Sequence, residues 1–155
     1  MKKRNGFTLV EVMITVAIMG VLASTVGITM GILLGQRVKS MAADTKSVIQ
    51  STQTVAFSRD DAYVEFAQNG DRVTVTAYSS AGKKINSAEG NNVQMFVTIG
   101  GSEVAVTTPV QMHFNRQTGG LNPQSNGGYI SQIRVTNGKR QVILKISKLT
   151  GKVTY

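Results

Sequence analysis

The sequence predicts an α+β protein: one long N-terminal helix, then a small antiparallel β domain built as two packed sheets. Three observations carry this. From Phe7 to Gly35 the only charged residue is Glu11. From Val38 to Ala56 the apolar residues recur at steps of three and four, the period of a helix with one buried face. After Asp61 the period falls to two, interrupted by Asn-Gly pairs, which is the pattern of strands and hairpins. The chain therefore divides into a basic head over 1–6, an apolar helix over 7–35, an amphipathic continuation over 36–59 and a soluble β domain over 60–155.

The head carries Lys2, Lys3 and Arg4, then Asn5, before Gly6-Phe7. Val12 to Gly35 as helix would run about 36 Å, enough for a hydrocarbon core of roughly 30 Å. Cations at the N-terminal side predict an N-in orientation, with the remainder on the far side of the membrane. A carboxylate at Glu11 is costly in lipid and marks a functional contact. If the chain is cut after Gly6, Phe7 carries a free amine four residues from Glu11, on the same helical face. Gly20, Ser24, Gly27, Gly31 and Gly35, with Ala17, make a stripe of small residues that suits close helix packing.

Past Gly35 the stripe is Val38, Met41, Thr45, Val48, Thr52 and Val55, flanked by Ala42, Ile49 and Ala56. The helix is expected to end near Phe57, with Ser58 to Asp61 as the stop. Strands are expected around Val64 and Phe66, Val73 and Val75, Val93 to Ile99, Val110 to Phe114, Ile133 and Val135, and Val142 to Ile146. Val153 to Tyr155 adds a short last strand. Ser79 to Asn92 reads as a loop containing Lys83-Lys84. Asn115 to Tyr129 has four glycines, one proline and no apolar period, and reads as a long functional or disordered loop.

The run Lys2-Lys3-Arg4-Asn5-Gly6-Phe7-Thr8-Leu9-Val10-Glu11 resembles the processing motif of type IV prepilins and type II secretion pseudopilins. The resemblance implies cleavage after Gly6 by a prepilin peptidase, methylation of the new N-terminus at Phe7, and guidance into a filament by Glu11. It implies an inner-membrane, single-pass subunit that works with an assembly platform and with other pilin or pseudopilin subunits. A long helix followed by β structure, with the ending Leu149-Thr150-Gly151-Lys152-Val153, resembles the H-type minor pseudopilin and minor-pilin branch. Many major pilins close a C-terminal loop with a disulfide, and this chain has no cysteine; a major pilin remains the alternative subunit class.

Charge is distributed unevenly. All eight acids lie at or before Glu103, whereas Arg116, Arg134, Lys139, Arg140, Lys145, Lys148 and Lys152 follow it. If Asn137-Gly138 is a two-residue turn, Thr136 pairs with Lys139 and Arg134 with Gln141, and Arg134, Lys139 and Lys145 share one face. An acid-free basic face attracts phosphates. This supports an alternative function: a minor pilin that binds DNA during transformation, through Arg134, Lys139, Arg140, Lys145, Lys148 and Lys152. A solvated face, or one that meets an acidic neighbouring subunit, fits equally. DNA-binding relatives in this branch use a C-terminal Gly-Arg-x-Arg; here Gly151-Lys152-Val153-Thr154 lacks the second cation.

The sequence offers little catalytic chemistry. His113, the one histidine, falls on the polar side of its strand, and no metal-ligand spacing or phosphate-cradling glycine loop appears. No cofactor is expected. The chain reads as a substrate of processing enzymes rather than as an enzyme.

Overall fold

The structure, a computed structural model, describes the backbone of residues 7–58 and 61–155; side chains are described for the same residues except 25–34. Helix α1 spans Leu9–Ser58, and among the described residues nine strands follow it. The chain divides into two compact units, Met1–Leu34 and Gly35–Tyr155. In the first unit α1 exposes apolar side chains all the way round: Leu9, Val10, Met13, Val16, Met19 and Leu22 are all more than half exposed. Among the described residues no helix is long and apolar enough to cross a membrane. The span expected over 7–35 rests in part on side chains 25–34, outside that description, as do the packing residues Gly27 and Gly31.

In the second unit the expected stripe is the buried face. Val38, Ala42, Thr45, Ile49 and Thr52 have no exposure, and Met41, Val48 and Ala56 have almost none. Full burial of each large apolar side chain stabilises by roughly 1.5–3 kcal/mol. Thr52 returns its hydroxyl to the Val48 carbonyl at 2.6 Å, so its burial leaves no orphan donor. Thr45 differs: its buried hydroxyl has no hydrogen-bond partner among the described residues.

Strands β1 (Tyr63–Asn69), β2 (Arg72–Tyr78), β3 (Lys84–Asn91), β4 (Gln94–Ile99), β5 (Ser102–Ala105), β6 (Val110–His113), β7 (Ile130–Thr136), β8 (Gln141–Ile146) and β9 (Val153–Thr154) form two antiparallel sheets. Their orders are β3-β2-β1-β6 and β5-β4-β7-β8-β9. The inner faces present Val64, Phe66, Val75 and Met112 from one sheet and Met95, Val97, Ile133 and Leu144 from the other. These join the α1 stripe in one buried cluster. The β1–β2 hairpin closes through Gly70 and Asp71, with Asn69 opposite Arg72. Gly70 takes φ +59°, a conformation that side chains other than glycine disfavour.

Two expectations need correction. Lys84–Asn91, read as part of a loop, is strand β3. It is an edge strand with little apolar alternation, so its sequence signal is weak. Its one fully committed core position is Ala88, and Gly90 lies so close to Met41 that an added Cβ would meet Sδ at 2.8 Å. Ser102–Ala105 forms β5, an exposed edge strand that the periodicity did not announce. The segment 115–129 is a loop, as its composition predicts, and it is ordered. Asn115 to Gly120 and Gln124 to Gly128 close as two tight hydrogen-bonded turns.

Removing the Thr45 hydroxyl removes an unsatisfied buried group. Thr45→Val is expected to raise the unfolding midpoint, by about 1 kcal/mol of stability. Denaturant unfolding of the full chain checks this, and a loss of stability would mean that the hydroxyl has a partner.

Candidate functional site

The N-terminal site is built on the first turn of α1. Thr8 is the cap residue and Glu11 is three positions on. The Glu11 N–H donates to the Thr8 hydroxyl oxygen at 3.3 Å, and the Thr8 N–H donates to a Glu11 carboxylate oxygen at 3.4 Å. Both residues are exposed, so each bond competes with water and is individually modest. This reciprocal pairing is a capping box. Its sequence signal is the Thr8-x-x-Glu11 spacing ahead of an apolar run. The arrangement places the Glu11 carboxylate at the helix start, on the N–H of Thr8, the residue after Phe7. Phe7 is 85 % exposed, and Gly6 lies outside the described residues. Residues 1–27 match the prokaryotic N-terminal methylation motif. That motif is the signature of type IV prepilins and pseudopilins. Neither a curated protein nor a solved structure matches the chain.

The small-residue positions of this motif-bearing helix behave differently from one another. Gly20 has open space around it, and the Ser24 hydroxyl bonds the Val21 carbonyl of its own helix at 2.7 Å. Gly35 is buried: a Cβ there would meet the Arg140 guanidinium at 2.9 Å. Its smallness thus has a local use in seating the amphipathic half of α1 against the β7–β8 loop.

The basic surface is more fragmented than the sequence predicts. The register places Thr136 opposite Gln141 and Arg134 opposite Ile143. The β7–β8 loop therefore holds four residues, Asn137 to Arg140, not two. Asn137 stabilises it by accepting from the Lys139 and Arg140 N–H groups at 3.1 and 2.8 Å. A shift of two residues preserves strand parity, so Arg134 and Lys145 still share a face, opposite Val142 and Leu144. Lys139 does not join them, because it sits in the loop.

Arg134 is also not a free cation. Its guanidinium donates two bonds to Glu103 of β5, at 2.8 and 2.7 Å, in a fork-to-fork pair. It lies 4.1 Å from the centre of the Phe96 ring. The expectation of an acid-free face fails because β5 returns Glu103 to that surface. Lys139, Arg140, Lys145, Lys148 and Lys152 are all exposed. His113 is exposed and stacks on Tyr63 at 5.0 Å, and Tyr63 stacks on Tyr78 at 5.3 Å, a row across β6, β1 and β2. Among the described residues no three or more His, Cys, Asp or Glu side chains come together as a metal site.

A residue that the sequence did not single out ties the second unit together. Gln53, on α1, donates its Nε2 to the Gly119 carbonyl at 2.8 Å and to the Thr150 carbonyl. The Leu121 N–H donates to the Lys148 carbonyl at 2.9 Å. Helix end, 115–121 turn and β8–β9 turn are thereby pinned to one another. Gly119 and Gly151, both with positive φ, allow the close approach: the Phe57 ring covers Gly119, and Gly151 lies against the Gly119 carbonyl. Lys46 adds a cation over the Tyr155 ring at 4.5 Å.

The hydrogen bond to Arg134 holds the Glu103 carboxyl below its ordinary value of 4.5. A carboxyl with a depressed folded-state pKa stabilises the fold above its unfolded pKa, and that contribution disappears as pH falls through the folded value. Glu103→Gln is therefore expected to flatten the stability profile on the acid side, below about pH 5. Urea midpoints across that range test it, and parallel profiles for the two proteins would sink the assignment.

Proposed function

We propose that the chain is a minor pilin or pseudopilin subunit. One observation supports this more than any other. A methylation motif opens a helix that is apolar on every described face through Ser24, and its one charge, Glu11, stands at the capped first turn. A soluble protein has no use for such a helix, because exposed apolar surface of that extent costs free energy in water. In a bilayer or a bundle of like helices the same surface is buried.

The leader, residues 1–6, holds the chain N-in at the cytoplasmic membrane while the soluble unit lies on the other side. A prepilin peptidase cuts between Gly6 and Phe7, and Phe7 is methylated. The new amine is adjacent to the Thr8 N–H that Glu11 already accepts. Within one subunit the carboxylate can hold that amine; between subunits displaced along an axis it can hold a neighbour's. The expense of a bare carboxylate in lipid then drives pairing and sets register. The chain's role is structural, with an assembly platform and other subunits as partners.

Mass spectrometry of the mature protein is expected to find Phe7 first, carrying one methyl group. Gly6→Val should leave the leader attached. Uncut protein in assembled filaments would overturn the reading. Glu11→Val should preserve membrane insertion while co-purification with other filament subunits falls. Unchanged incorporation would remove Glu11 from assembly.

A further inference from the structure

At the C-terminal end of α1, apolar and basic side chains meet on one surface. Phe57 is 52 % exposed although its ring lies against Gly119. Leu149, on the β8–β9 turn, is 72 % exposed, and Tyr129 is 36 % exposed. Tyr129, Leu149 and the buried Leu121 line a depression of about 250 Å³, together with Asn115, Thr118 and Lys148. Lys148 stands 5.9 Å from the centre of the Tyr129 ring. Arg116 is exposed on the 115–120 turn. Lys152 is exposed beside Gly151, which itself touches Gly119.

No acid lies in the segments 115–129 and 147–155 that make this surface. The acids nearest to Phe57 along the chain are Asp60, outside the described residues, and the exposed Asp61. The segments are also rigidly joined, through Gln53 and the Leu121–Lys148 bond. An apolar centre lined by Lys148, with Arg116 and Lys152 exposed on the same two turns, has the form of a protein contact: the centre excludes water and the cations select charge.

We infer that this surface docks a protein partner whose own face has an apolar knob ringed by carboxylates. The inference is separate from the assembly role of the N-terminal helix and does not require it. A second copy presenting the same patch is disfavoured, because it would set Arg116, Lys148 and Lys152 against themselves. Nucleic acid fits less well than protein. Its phosphates would use the cations and its bases would stack on Phe57 and Tyr129, but it offers no apolar side chain to cover the aliphatic Leu149, which is 72 % exposed.

The test uses the full chain in detergent micelles and three defined polyanions: a glutamate–tyrosine copolymer, polyglutamate and duplex DNA. The copolymer is expected to bind about tenfold more tightly than polyglutamate, the difference being the apolar centre. NMR shifts should map to Phe57, Tyr129 and Leu149. Leu149→Ser, at an exposed position, should abolish the preference, and Lys148→Glu should weaken binding to both polypeptides. Thermal unfolding of each variant confirms that it is folded. Equal affinity for the copolymer and polyglutamate would overturn the proposal. Tighter binding of DNA than of the copolymer would overturn it in favour of a nucleic-acid surface.

Discussion

The second unit depends on one buried stripe of a helix. Val38, Met41, Val48, Ile49 and Ala56 face the two sheets and complete a core that neither sheet encloses alone. The stripe also fixes what its neighbours must be. Gly90 is small because Met41 occupies the space a side chain would need, and Gly35 is small because Arg140 does. The uncapped demand of the hydrogen-bonding groups at the far end is met by Gln53, whose amide reaches two carbonyls from two different turns.

Much of this arrangement was legible in the residues. The three-and-four spacing from Val38 to Ala56 named the buried face, including Thr45 and Thr52, before any coordinate. Alternation named the inner positions of β1, β2, β4, β7 and β8. Strands β3 and β5 escaped because they are edge strands with almost nothing buried: β3 commits only Ala88 and β5 is exposed throughout, whereas the edge strands β6 and β9 still bury Met112 and Val153. A strand that buries so little needs little apolar alternation; its place is fixed by backbone pairing, which the side chains do not record. The same difficulty hid the clasp. Gln53 occupies an unremarkable helical position, and its partners are carbonyls, which any sequence supplies.

The surroundings of Glu11 and of the late cations differ in how far sequence order predicts them. Glu11 sits in a local pattern, four consecutive residues on one turn, and its cap at Thr8 follows from spacing alone. The basic face was judged from the order of charges along the chain, where Glu103 precedes every late cation. Sheet pairing ignores that order. Strand β5 lies beside β4, which lies beside β7, and so a carboxylate 31 residues upstream reaches Arg134. Proximity along the chain is a fair guide within a helix turn and a poor one across a sheet.

The clasp also bears on the order in which the chain can fold. Gln53 bonds residues 66 and 97 positions further on. Lys46 meets the final tyrosine. During synthesis the amphipathic half of α1 emerges early, and the partners of Gln53 and Lys46 emerge much later. Strands β1 to β3 can cover part of its apolar stripe early, but the clasp closes only after residues 119 and 150 have emerged, and loops that long slow the search. In that interval the uncovered part of the stripe invites a protective binding factor or a membrane surface. A chain stalled before Ser147 would hold nearly all of its strands and still lack the turn that locks its helix in place.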